Sequence, residues 1–138
     1  MLHVIVDGAN VVGSRPDGWW RDRQGAARRL AGRLAAALTV DPARLADDLG
    51  PPDADLQVHL VLEGAAARAE DLPTHPRLAV VHAEADGDAA IAALAAELAA
   101  GDEPVLVVTA DRALRERVRA TGATTLGPGA LLDALPAA

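Results

Sequence analysis

The sequence predicts an α/β domain of three αβα layers, in which a mostly parallel five-stranded sheet is covered by helices on both faces. Five short apolar runs, rich in Val, Leu and Ile, recur along the chain. Each is followed by a segment with helical spacing, the pattern of successive βαβ units. Strands buried on both faces in this way read as continuous apolar runs. The composition never shifts enough to mark a boundary, so 1–138 reads as one domain, and a chain of this length can bury roughly 70% of its extended surface without staples.

Residues 2–6 (LHVIV) form the first expected strand, closed by a turn signal at Asp7-Gly8. A helix is expected over 22–38, because Ala26, Leu30, Leu34 and Leu38 fall on one helical face. A short capped helix follows at 41–49, then a loop set by Gly50-Pro51-Pro52. LQVHLVL at 56–62 is the second strand, and 63–76 reads as a short helix and a proline-rich loop. The third strand is expected at 77–83 and the next helix at 88–100, halted by Gly101. The fourth strand, 104–110, leads into a helix over 111–122 that Gly122 closes. A brief fifth strand at 123–126 and a last helical turn at 130–135 complete the chain.

The tetrapeptide DGAN at 7–10 poses a conflict. Asp-Gly between apolar runs is a strong hairpin signal, yet a strand followed by a long helix belongs to a crossover. DGAN is therefore expected as a strand-to-loop exit at the carboxyl edge of the sheet, where open α/β folds bind their ligands.

Composition narrows the chemistry. There is no cysteine, which removes disulfides, thiolate nucleophiles and cysteine zinc sites. All 13 basic residues are Arg, so lysine-dependent chemistry is excluded. Trp19 and Trp20 are the only aromatic rings other than histidine, and any base-stacking surface must use them. No apolar run approaches the ~20 residues of a membrane span, and Met1 leads straight into a strand, so a soluble cytoplasmic protein without membrane contact is expected. The net charge of −7 argues against a broad basic footprint for nucleic acid. Residues 1–33 nevertheless hold six Arg against three acids, and Arg112, Arg115, Arg117 and Arg119 follow Asp111. Solvated helix faces would account for both groups equally well.

Carboxylates follow four of the five strands: Asp7, then Glu63, then Glu84, Asp86 and Asp88, then Asp111. In a parallel sheet these positions share one edge. Like charges gathered there raise one another's pKa, and a hard divalent cation relieves the repulsion. Oxygen donors without Cys or Lys suit Mg²⁺ or Mn²⁺ better than zinc. Each acid also has a plain reading, Asp88 and Asp111 as N-caps and Glu63 as a solvated turn residue. Asp7 is harder to dismiss, since a carboxylate ending an apolar central strand needs a partner. His3, His59 and His75 read as structural, and His82, at the end of the third strand, is the one histidine within reach of the cleft.

VDGANVVGS, the acidic group DGDAAI and VVTADRAL together resemble the PIN/NYN nuclease superfamily, whose marks are DGAN after strand 1, an acid group opening the helix after strand 3, and T-x-D after strand 4. The first segment, running into PDGWWRDRQGAARRL, is most similar to the bacterial NYN-type branch. The resemblance spans nearly the whole chain and implies strand order 3-2-1-4-5 and a metal-dependent ribonuclease. It implies that Asp7, Asp88 and Asp111 bind the metal. Glu63, which stands where some members carry an acid after strand 2, and Asp86, which has no firm counterpart in the family, are extra expected ligands. Asn10 then places metal or substrate, and Thr109 supplies the hydroxyl two residues before the last Asp. The family's phosphate-gripping Lys has no counterpart here. Arg15, Arg21 or Arg23 takes that role, with Ser14, Thr109 and Arg112 as further expected substrate contacts.

The expected function is a Mg²⁺- or Mn²⁺-dependent ribonuclease in which Asp7, Asp88, Asp111 and Asn10 carry catalysis. The alternatives are a non-catalytic module that binds RNA or protein and, less favoured, a metal-dependent nucleotide phosphohydrolase. A homodimer through the Ala/Leu helix faces, or a protein partner, would assist RNA docking. A haloacid-dehalogenase-type phosphatase is excluded by Ala9 where a second Asp is required, a receiver domain by the absence of Lys, and a dinucleotide site by the missing G-x-G-x-x-G spacing.

Overall fold

In the computed structural model, which describes residues 1–51 and 54–136, five strands form one sheet in the order β3-β2-β1-β4-β5. The strands are β1 (Leu2–Asp7), β2 (Leu56–Leu62), β3 (Leu78–His82), β4 (Val105–Val108) and β5 (Thr124–Leu126), and every neighbouring pair is parallel. The fold class and strand order are those expected.

Alternation along the strands builds two cores. Leu2, Val4 and Val6 of β1 point to one face with Leu56, Val58, Leu60 and Leu62 of β2. There they meet α2 (Arg23–Val40), α3 (Pro42–Leu49) and α6 (Pro128–Ala134) through Leu30, Leu34, Leu38, Leu45 and Leu131. Ile5, Val61, Val105 and Val107 face the other way. They pack on α4 (Gly87–Ala99) and α5 (Arg112–Arg119) through Ile91, Ala95, Leu114 and Val118. The period of two thus sends odd-numbered β1 and β2 residues toward α4 and α5. Among the described residues no helix is long and apolar enough to cross a membrane.

DGAN departs from the expected loop. The chain passes from β1 directly into a short helix, α1 (Gly8–Gly13), whose N-cap is Asp7. A Cβ at Gly8 would lie 2.6 Å from the Val61 carbonyl oxygen and 2.9 Å from Leu62 Cδ2. Only glycine lets α1 start this close to β2, so the Asp-Gly pair serves close packing and a helix cap rather than a turn. Gly64–Arg68 is a five-residue 3₁₀ helix and Trp19–Arg21 a single 3₁₀ turn. Strands β3 and β4 are shorter than expected, and α4 begins at Gly87 with Asp86, not Asp88, as its N-cap. Of the expected Gly50-Pro51-Pro52 loop, Pro52 lies outside the described residues.

Beside β1 the strand order reverses: β2 and β3 lie on one side, β4 and β5 on the other. Open α/β sheets bind ligands outside the carboxyl ends of the strands at such a point. Asp7 ends the central strand there.

Candidate active site

Asp7 is only 5% exposed. Its Oδ2 accepts the Thr109 hydroxyl proton at 2.9 Å, and its Oδ1 accepts the Asn10 backbone N–H at 3.3 Å. Burial pushes the Asp7 carboxyl above its ordinary range. The bonds from Thr109 and Asn10 oppose this, while the charges of Asp88 and Glu63 add to it.

Thr109 is completely buried and links two of the acids. Its Oγ1 donates to Asp7 and accepts the Asp111 backbone N–H at 3.1 Å. Expected as a substrate contact, Thr109 is here fully buried, and its hydroxyl is engaged in positioning Asp7 and Asp111. Its carbonyl accepts the Arg115 Nε–H at 2.7 Å, which ties the β4 end to α5. Asn10 braces the same loop, since its Oδ1 accepts the Ala110 N–H at 2.8 Å. Asp111 is half-buried and caps α5 by accepting the Leu114 N–H at 2.9 Å.

A second group lies around the α4 N-terminus. Glu63 Oε2 accepts the Gly87 N–H at 2.8 Å, and Asp86 Oδ1 accepts the Asp88 N–H at 2.9 Å. Asp88 sits in the first turn of α4, and its carboxylate accepts no hydrogen bond among the described residues. Its pKa is raised, first by partial burial and then by the charges of Asp111, Asp86 and Glu63, with Arg117 opposing. The two groups therefore sense each other electrostatically across the end of β1. None of the five carboxylates is ion-paired with an arginine among the described residues.

All donors here are hard carboxylate oxygens, the set that suits Mg²⁺ or Mn²⁺. As the side chains stand, no three acids among the described residues are close enough to enclose an ion. Chemistry and sign of charge fit a hard cation, while each carboxylate except Asp88 is partly engaged by backbone or hydroxyl donors.

The remaining expected residues are less concentrated. Arg21 and Arg23 are exposed and lie over Trp20 and Trp19, at 5.8 and 5.0 Å from the ring centroids. Arg112 opens α5 on the surface beside Asp111. Ser14 and Arg15 turn elsewhere: Ser14 Oγ donates to the Val11 carbonyl at 2.6 Å and closes α1, and Arg15 meets Asp133 of α6 at 3.8 Å. His82 faces the Ala67 carbonyl at 2.6 Å rather than the acids, so its Nδ1 carries the proton of that bond. Sequence reasoning left two site residues out. Arg117 was visible only as one of four arginines after Asp111, and its pull on Asp88 depends on how α4 and α5 pack. Trp19 was noted for its ring, but nothing in the sequence placed it beside Gly8 and Glu63, where it lines a cavity.

Two solved structures of Rae1 (YacP) from Bacillus subtilis, one of them a tryptophan-to-leucine variant, share this architecture. Their TM-scores are 0.71 and 0.66, with sequence identities of 21% and 20%. Each comparison covers 96% of this chain, and 72% and 74% of the Rae1 chains. The five-stranded parallel sheet in the order 3-2-1-4-5 is thus a fold shared with the Rae1 structures. No protein-family profile and no curated protein matches the chain. At this identity the likeness to Rae1 is one of fold, and the residues of the acidic edge stand on their own geometry.

Proposed function

We propose that this chain is a Mg²⁺- or Mn²⁺-dependent ribonuclease acting at the acidic edge of the sheet. One observation carries the reading: a buried strand-end carboxylate, Asp7, feels the charges of Asp88 and Glu63 and is ion-paired with no arginine among the described residues. Folding alone gains nothing from such a cluster, since an unpaired buried carboxylate is costly. Asp7, Asp88 and Asp111 would hold the cation, with Glu63 and Asp86 at its margin. When bound, a hard divalent cation lowers the pKa of a water and offsets charge on a phosphodiester. The chain's own residues supply positioning. Thr109 and Asn10 fix the Asp7 carboxylate and the Ala110-Asp111 backbone, and Arg21, Arg23 and Arg112 offer exposed guanidiniums to phosphates. A second copy or a protein partner would supply the cationic surface that a −7 chain lacks.

The test is turnover of single-stranded RNA with Mn²⁺. Wild-type chain should cleave, and Asp7→Asn should lose at least about a hundredfold in rate, the scale of removing one preorganised electrostatic group. Equal rates in the two proteins would reject the assignment. A non-catalytic RNA-binding module is the second reading. It is favoured by the spread of the acids, which do not enclose an ion as they stand. It predicts RNA affinity with no cleavage under any divalent ion.

A further inference from the structure

Between the 3₁₀ turn at Trp19–Arg21 and the acidic edge lies a cavity of about 270 Å³. Its lining includes Trp19, Arg23, Ala9, Glu63, Ala66 and Ala85. The volume lies below the usual range for drug-sized ligands and suits a single ring system. Most of the lining consists of small or apolar side chains, which leave space beside the half-buried Trp19 indole. Glu63, directly after β2, brings the acidic edge into the cavity wall. Its Oε2 accepts the Gly87 N–H, which leaves Oε1 to accept from a ligand amino group. Arg23, 5.0 Å from the Trp19 ring centroid, adds a cation where the cavity is lined by Glu63.

We infer that this cavity is a nucleobase slot, in which one unstacked base of single-stranded RNA lies against Trp19 while Arg23 holds the adjoining phosphate. The inference rests on the reading of the acidic edge as an RNA site and names the form of RNA it takes. A flat neutral ring fits the chemistry because it can sit beside Glu63 where a phosphate would be repelled. Base–aromatic stacking is largely indifferent to sequence, since every base presents a π-face. A duplex is rejected because its bases are already stacked and paired. One paired strand cannot present a ring to Trp19 while its phosphate reaches Arg23.

Trp19 and Trp20 are the only tryptophans, so intrinsic fluorescence reports on this surface. The full chain is titrated in EDTA with a short single-stranded oligoribonucleotide of mixed sequence, so that binding is read without cleavage. Saturable quenching is expected, with affinity about tenfold to a hundredfold weaker for an abasic oligonucleotide of equal length, as expected for loss of a stacked base. Trp19→Ala should weaken binding of the base-bearing strand by a similar factor, and Trp20→Ala should leave it nearly unchanged. Ala85→Leu fills the slot from an exposed position and should also weaken binding, which guards against misreading a misfolded Trp19 variant. Equal affinity for abasic and base-bearing strands, or full affinity in both Trp19→Ala and Ala85→Leu, overturns the slot. Cleavage with Mn²⁺ separates this failure from failure of the ribonuclease reading. Quenching without turnover leaves the slot standing and removes the enzyme, whereas turnover with an indifferent Trp19 does the reverse.

Discussion

Asp7 is held by two hydrogen bonds and opposed by everything else around it. Burial comes first among the causes that raise its pKa, and Asp88 and Glu63 add to it. The folded chain therefore binds the Asp7 proton more tightly than the unfolded chain does. Its contribution favours folding below the ordinary carboxylate pKa and is lost as pH rises through and beyond that value. At neutral pH the ionised group costs stability, so Asp7→Asn in EDTA should melt at a higher temperature than wild type at pH 7.5. That advantage should shrink toward pH 4. Mn²⁺ reverses the comparison, because an ion that binds only the folded state stabilises it by about 2.7 kcal/mol at a hundred times its Kd. Wild type should gain melting temperature on titration with Mn²⁺ and the variant should gain little. Equal shifts in both proteins would remove Asp7 from the ion site. The opposed charge and the proposed activity are then two faces of one residue, as in other sites where function is kept at the expense of stability.

At the scale of elements, α1 decides how closely the site is drawn together. Gly8→Ala would push a methyl group against the Val61 carbonyl and Leu62, and backbone cannot yield as a flexible side chain does. A loss of about 1–3 kcal/mol is expected, the usual cost of overpacking, read as a lower denaturant midpoint with unchanged slope. The opposite edge of the sheet carries a pH response. His3 Nδ1 lies 3.1 Å from His59 Nε2, and His3 Nε2 lies 3.3 Å from Glu103, which also pairs with the Met1 amino group at 2.8 Å. Burial, and secondarily the charge of His3, lowers the His59 pKa from its ordinary 6.5. Stability from a neutral His59 is therefore full above that value and is lost as pH falls through it toward the folded pKa. His59→Asn should flatten the fall in melting temperature between pH 7.5 and 5, and an unchanged slope would place the acid response elsewhere. Much of this architecture was legible. LQVHLVL gave β2 with the bounds expected, because a β-branched apolar run between turn residues has few other uses. Helix α1 was not legible, since six residues hold less than two helical turns and its cap is also the last residue of a strand. The order of the acids along the chain was readable. Their separation across the edge and the complete burial of Thr109 were not, because both depend on where β4 stops and how α4 and α5 pack.

For the whole molecule, charge decides how RNA could be held. The chain carries −7, and several arginines that look basic in the sequence are engaged in holding its own surface. Arg33 donates to the Pro136 and Leu132 carbonyls, Arg28 to the Glu70 carbonyl, Arg77 meets Asp55, and Arg15 meets Asp133. Arg21 and Arg23 near the aromatic platform, Arg112 at the head of α5 and Arg117 facing Asp88 remain on the candidate site's side. Arg117 is electrostatically linked to Asp88, and Arg21, Arg23 and Arg112 are the cations assigned to phosphate, two or three contacts in all. Single strands release counterions with a slope near −0.7 per phosphate contact, so log affinity against log salt should fall with a slope of about −1.5 to −2. A protein that binds through a broad basic face shows a far steeper dependence, and stacking on Trp19 is insensitive to salt by comparison. Titrations of a single-stranded oligonucleotide in EDTA across salt concentrations measure the slope directly. A slope steeper than about −4 would mean that another cationic surface, in a second copy or elsewhere on the chain, carries the RNA. Arg23→Gln should remove about one contact and make the slope shallower by about 0.7.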